Sequence, residues 1–215
     1  MMNKKNNNVL FLVQFSILIA IEAIFCFTPL GSLPAIGPIV ATLAMIPIVM
    51  TAILLGPKAG TAMGAIAGLF SFIVWTFTPL AANPMAFIFT PFSSVGEFQG
   101  NFGSLIICFV PRILVGTVAG VAYKGMLKIV PTEDILSMVI ASIAGSMTNT
   151  VGVMGGIWLF FGKQYSSLLG QTMILLIGMT ILTSGIPEAF VCAFVSTAVC
   201  KPVKTVIKRS SPGAF

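Results

Sequence analysis

Four polar side chains stand out in an otherwise apolar chain: Arg112, Thr148, Asn149 and Glu188. Arg112 follows Pro111 in the stretch CFVPRILVGTVAG, with apolar residues on both sides. A cation at the centre of a bilayer costs at least ~2.5–3.5 kcal/mol on insertion scales, so it normally faces a partner, a cavity or a ligand. Glu188 likewise follows a proline, Pro187, in TSGIPEAF, while Thr148, Asn149 and Thr150 lie together in GSMTNTVG. A guanidinium grips a carboxylate bidentately, and an asparagine amide both donates and accepts. These groups suit the recognition of a small polar solute. Bond-making chemistry is not expected, because the chain has no histidine and no visible nucleophile–base pair. Cys26, Cys108, Cys192 and Cys200 lack metal-ligand spacing and read as small packing residues, so neither metal nor cofactor is expected.

The elements that must position these residues are membrane helices. Of 215 residues, 57% are hydrophobic and only 7% charged, against roughly 25% charged in a soluble domain. Several apolar runs reach about 20 residues, enough to cross a ~30 Å hydrocarbon core. The expected fold is an all-α integral membrane protein, one compact bundle of six transmembrane helices forming a single membrane domain over residues 1–215. The spans are expected at about 9–27, 39–55, 61–77, 104–123, 135–161 and 172–200. The first follows Lys4 and Lys5 but lacks a small-x-small cleavage site, so it reads as a retained helix rather than a signal peptide.

Six spans put both termini on one side. With the N-terminus inside, Lys4, Lys5, Lys58, Lys124, Lys128, Lys201, Lys204, Lys208 and Arg209 are cytoplasmic, and only Lys163 is external. The positive-inside rule accounts for the net charge of +6 without nucleic acid. The segment 78–103 is then extracellular. It is long for a connector and rich in Phe and Pro, which makes it a candidate lid or binding loop, with Asn83 as its candidate ligand contact.

Counting from the cytoplasmic lysines gives depth. Arg112 lies twelve residues before Lys124 and Glu188 thirteen before Lys201, so both sit roughly 18–20 Å above those anchors at ~1.5 Å per residue. Shared depth and opposite charge suggest an Arg–carboxylate pair. Each proline also removes a backbone donor and frees the carbonyl four residues back, at Ile107 and Thr183. Two readings follow: a clamp that only fixes helix register, or a polar cavity between spans four, five and six. Convergence from three helices, two with prolines, favours the cavity. Glu22 lies farther out, at the cavity mouth or snorkelling to the surface, and Trp75 and Trp158 read as interfacial anchors.

Small residues recur four apart at Ser16 and Ala20, at Gly60, Gly64 and Gly68, at Gly116 and Gly120, and at Gly152 and Gly156. Such faces let helices approach closely, either within the bundle or, on spans one to three, against another membrane subunit. GPKAGT lacks the spacing of a nucleotide-binding loop, and no ladder of acids suits ion relay. Energy for uphill transport would have to come from elsewhere.

With these pieces in order, the chain resembles the S component, the substrate-binding subunit, of energy-coupling-factor (ECF) vitamin importers. The likeness rests on six spans in about 200 residues and on the Ser16/Ala20 face. It extends through AILLGPKAGTAMGAIAGLFSF, PRILVGTVAG, GSMTNTVGVMGG and GIPEAF. The resemblance implies a protein that captures a vitamin at the outer face, in a site among spans four to six. There Arg112, Thr148, Asn149 and Glu188 would bind substrate under the extracellular loops. It implies that spans one to three, through Ser16, Ala20, Gly60, Gly64 and Gly68, dock a transmembrane coupling subunit driven by two cytoplasmic ATPases. The TNT and IPEA segments are most similar to the pantothenate-type branch. Riboflavin, folate or another micronutrient is the alternative, and a stand-alone secondary transporter or channel is the other class. Inverted repeats would support the latter, and none is convincing.

Overall fold

The computed structural model describes residues 4–28, 31, 43–78, 85–131 and 134–210. Nearly all of it is helix: α1 Lys4–Phe27, α2 Met45–Leu55, α3 Pro57–Phe77, α4 Ala86–Phe89, α5 Phe102–Ile129, α6 Asp134–Leu169, α7 Met173–Thr180 and α8 Ile186–Ser210. A π-helical turn, Ile181–Gly185, joins α7 to α8. The two-residue strands β1 Ser94–Val95 and β2 Phe98–Gln99 pair as a small hairpin between α4 and α5. Five segments are long and apolar enough to cross a membrane: Asn8–Phe27, Pro57–Phe77, Phe102–Ile129, Asp134–Leu169 and Met173–Ile207.

Of the expected second span, residues 39–42 lie outside the described residues. Its described part, α2, has 11 residues, about 16 Å of helix, less than a hydrocarbon core. Met45 through Ile53 are all buried, so α2 is a central strut wrapped by its neighbours. Gly56, at φ 93°, and Pro57, at the first turn of α3, separate the two helices. A positive φ is open to glycine at little cost, and proline fits where the N–H is unpaired anyway.

The fifth span differs from the expectation. A loop was expected at GKQYSSLLG, but α6 runs through Leu169 and stops at Gly170, φ 64°. Lys, Gln and Leu are good helix formers, and buried Phe161 and Tyr165 anchor the extra turns. Hydropathy registers the polar residues there and misses the anchoring.

Two apolar clusters fill the interior. The inner one gathers α2, Met63, Val115, Ala119, Tyr123, Met138 and Cys192. The outer one gathers Phe87, Ile88 and Phe89 of α4 with Ile107, Ile157, Phe161 and Tyr165. The start of α5 ties α4 down: Asn101 Oδ1 accepts from Gly103 N at 2.7 Å, and the Ser104 hydroxyl donates to Phe87 O at 2.7 Å. At the opposite end of the bundle, Lys204 pairs with Asp134 at 3.2 Å, and the Tyr123 hydroxyl bonds to both. This cluster locks α5, α6 and α8 together.

The small-residue stripes divide into two kinds. The Gly60, Gly64 and Gly68 stripe, expected among the residues that dock another subunit, instead faces α5. A Cβ on Gly60 would lie 2.8 Å from Gly116 O, one on Gly64 2.2 Å from Arg112 O, and one on Gly68 2.8 Å from the Phe109 ring. Thr61 and Thr117 hydrogen-bond across the same seam at 2.8 Å. These glycines let two backbones touch inside the molecule, so they offer no surface to a partner. Ser16 and Ala20 on α1 are exposed, while Leu18 and Glu22, four apart on the opposite face, are buried.

Candidate functional site

Pro111 sits inside α5 and cannot donate to Ile107 O, the acceptor it would otherwise satisfy. Arg112 supplies the missing donor: its Nη1 bonds Ile107 O at 2.9 Å. The guanidinium lies over the Phe89 ring, 5.4 Å from its centroid. Phe89 in turn stacks on Trp75, centroids 4.9 Å apart and planes 20° apart. An aromatic face attracts a cation, so α3 and α4 provide a shelf under the charge. Thr76 and Thr90 link those elements through a 2.8 Å hydroxyl bond. Arg112 is close enough to interact electrostatically with Glu22, Cys26 and Cys108.

The expected Arg112–Glu188 pair is not formed. Arg112 turns toward α1 and α4, whereas α8 packs on α6 and α2. Equal depth set the two residues level without setting the direction each faces around its helix. Glu188 is 5% exposed, one turn below the π-helical segment, with Cys192 within its electrostatic reach. The π turn answers Pro187: Ile186 N–H bonds Ile181 O, a wider ring that reroutes the ladder near the proline.

The α6 residues are placed as follows. Gly145 packs against Val49 and Ala119, Gly152 against Pro111 and Gly156 against Ile107. Asn149 falls between Gly145, which packs by Ala119 and Val115, and Gly152, which packs by Pro111. It is half-buried, and its amide has no hydrogen-bond partner among the described residues. The Thr148 hydroxyl is occupied by Ala144 O at 2.7 Å. Thr150 is buried against Gly185 of the π turn, and the buried Ser146 hydroxyl, one turn nearer Asp134, has no partner among the described residues. Asn83 lies outside the described residues.

Comparison with known proteins adds a lineage to this geometry. The family described as "ECF transporter, substrate-specific component" matches residues 10–200. The chain belongs to that family. It is also 33% identical over 175 residues to the pantothenic acid transporter PanT of Lactococcus lactis subsp. cremoris strain MG1363, covering 81% of this chain and 82% of that one. Its fold matches the crystal structure of the S component for biotin from an ECF-type ABC transporter, with TM-score 0.61, 17% identity and 95% of each chain covered. This S component is therefore a multi-pass cell-membrane protein from a family of transporter substrate-binding subunits.

Among the described residues, the candidate site offers the Arg112 cation, the Asn149 amide and the Phe89–Trp75 shelf. Among the described residues no group of three His, Cys, Asp or Glu side chains could hold a metal. Reading the sequence alone undervalued three contributors. By sequence, Phe89 falls in a loop, Trp75 reads as an interfacial anchor, and Glu22 lies at the cavity mouth or snorkels to the surface. The available signals are the run AFIF, too apolar for a solvated loop, and the one acid, Glu22, within the apolar run 9–27.

Proposed function

We propose that this S component binds pantothenate and presents it to an ATP-driven ECF module for uptake. The observation that carries this reading is Arg112. It is held by one backbone carbonyl and an aromatic ring, and it forms no ion pair among the described residues. A guanidinium so held keeps donors for an anionic ligand, and a bidentate carboxylate contact is its strongest use. Pantothenate carries one carboxylate, two hydroxyls and an amide. Asn149, with a vacant amide on the α6 stretch that packs along α5 between Pro111 and Ala119, complements the polar remainder, with Thr148, Glu188 and Asn83 as further contacts. The curated relative is a pantothenic acid transporter that aligns with most of this chain, which agrees with this substrate.

On this reading the whole chain is one membrane domain with six passes, α2 forming the second, and both termini cytoplasmic. The exposed Ser16 and Ala20 face docks a transmembrane coupling subunit, which two cytoplasmic ATPases drive. The test is a thermal-shift panel of pantothenate, riboflavin, folate and biotin on the purified protein without ATP. Pantothenate should raise the apparent Tm, since a ligand that binds only the folded state stabilises it by mass action. The Arg112→Ala variant should lose about 100-fold in affinity, and Asn149→Ala about tenfold. A shift with riboflavin and none with pantothenate would move the assignment to another vitamin.

A further inference from the structure

Glu22 is the acid that the substrate-binding reading leaves without a role. It is 0% exposed, on a helix whose membrane-spanning stretch is only 11% buried. Its Oε1 accepts a weak bond from Cys26 Sγ at 3.3 Å, and its Oε2 has no partner. A carboxylate shut away from water needs a counter-charge or a proton.

The surroundings limit what can supply either. α1 packs against α3 and α2. α2 carries no ionisable residue, and the one charge on α3, Lys58, sits beside the α2–α3 turn at the helix's other end. α4 has none. From α5, Arg112 is the cation within reach, with the Cys108 thiol beside it. The connecting segments 29–44 and 79–84 contain no ionisable residue in their sequence. Arg112 is thus the one cation that can balance an ionised Glu22 from within the chain.

We propose that binding of an anionic substrate at Arg112 is coupled to uptake of one proton by Glu22. The inference rests on the reading that Arg112 takes the substrate's carboxylate. Two carboxylates then compete for one guanidinium in a site screened from water, and leaving both ionised strands a buried negative charge. A proton taken from solvent onto Glu22 removes that charge, and the neutral acid keeps its place beside Cys26. The balance is simple: ligand anion and proton enter together, and no other bond changes. Where Glu22 is already protonated in the free protein, binding draws no proton and affinity is flat with pH. Where it is ionised, each pH unit should weaken binding tenfold, the slope that one linked proton imposes.

The experiment is isothermal titration of pantothenate into purified wild-type protein and the Glu22→Gln variant, from pH 6 to 9.5. Pantothenate's own carboxylate is ionised throughout this range. The wild-type Kd should rise toward a tenfold change per unit at the alkaline end, and Glu22→Gln, fixed in the neutral form, should remove that slope. Independently of the variant, wild-type binding enthalpy at alkaline pH should differ between phosphate and Tris buffers in the sense of proton uptake. A wild-type Kd flat across the range, or a slope that survives Glu22→Gln, would overturn the inference alone. No binding of pantothenate at any pH would overturn both it and the substrate assignment.

Discussion

Two stripes of small residues look alike in the sequence and behave differently in the fold. On α3, Gly60 and Gly64 press against the α5 backbone, and Gly68 against the Phe109 ring of α5, so closely that a single Cβ would collide. On α1, Ser16 and Ala20 face outward, with Leu18 and Glu22 turned in. The four-residue spacing reports that a helix can be approached closely. It does not report by what. The difference follows from packing: α3 is enclosed between α1, α2 and α5, whereas α1 touches the bundle along one side.

Substitutions along the two stripes grade this contrast. The largest effect is expected at Gly64, where an alanine Cβ would lie 2.2 Å from Arg112 O and 2.7 Å from its carbonyl carbon. Backbone cannot swing aside as a side chain can, so Gly64→Ala should destabilise by about 3 kcal/mol. Because the displaced residue is Arg112 itself, ligand affinity should fall too. The same change in an ordinary helix interior stabilises by about 1 kcal/mol, so a raised Tm in thermal unfolding would break the comparison. Gly68→Ala should cost about 1 kcal/mol, because its nearest neighbour is the edge of the Phe109 ring, which can rotate. The smallest effect on stability is expected at Ala20. Ala20→Leu should change unfolding by no more than about 0.5 kcal/mol and leave pantothenate binding intact. It should nonetheless abolish co-purification with the coupling subunit and its ATPases. Retained co-purification would show that the exposed stripe of α1 faces lipid alone.

The inner and outer halves of the bundle make a related point about legibility. At the end of the bundle away from α4, Asp134 and Lys204 carry opposite charge beside span ends, and the fold joins them through Tyr123. At the outer end, the sequence identified Arg112 as costly and Ile107 O as freed by Pro111. It did not show that each would satisfy the other at 2.9 Å. It assigned Arg112 to Glu188, since depth can be counted along a helix while facing direction depends on helices not yet placed. It treated AFIF as lid material, yet Phe87, Ile88 and Phe89 are packed into the outer core. The end of α6 was misjudged because hydropathy scores residues singly, while Tyr165 holds a whole segment in helix by being buried.

The sequence by itself determined that this is a membrane protein, which residues are expensive in lipid, and where prolines free the backbone. Its motif order placed it among ECF S components. These are local properties, set by transfer free energies and backbone chemistry that each residue carries with it. Only the tertiary structure decided the pairings: Arg112 with Ile107 O and Phe89, the α3 glycines with α5, and Glu22 turned inward from α1, a helix otherwise largely exposed. Pairings depend on how helices rotate and cross, and that is settled by how the whole set of side chains packs at once.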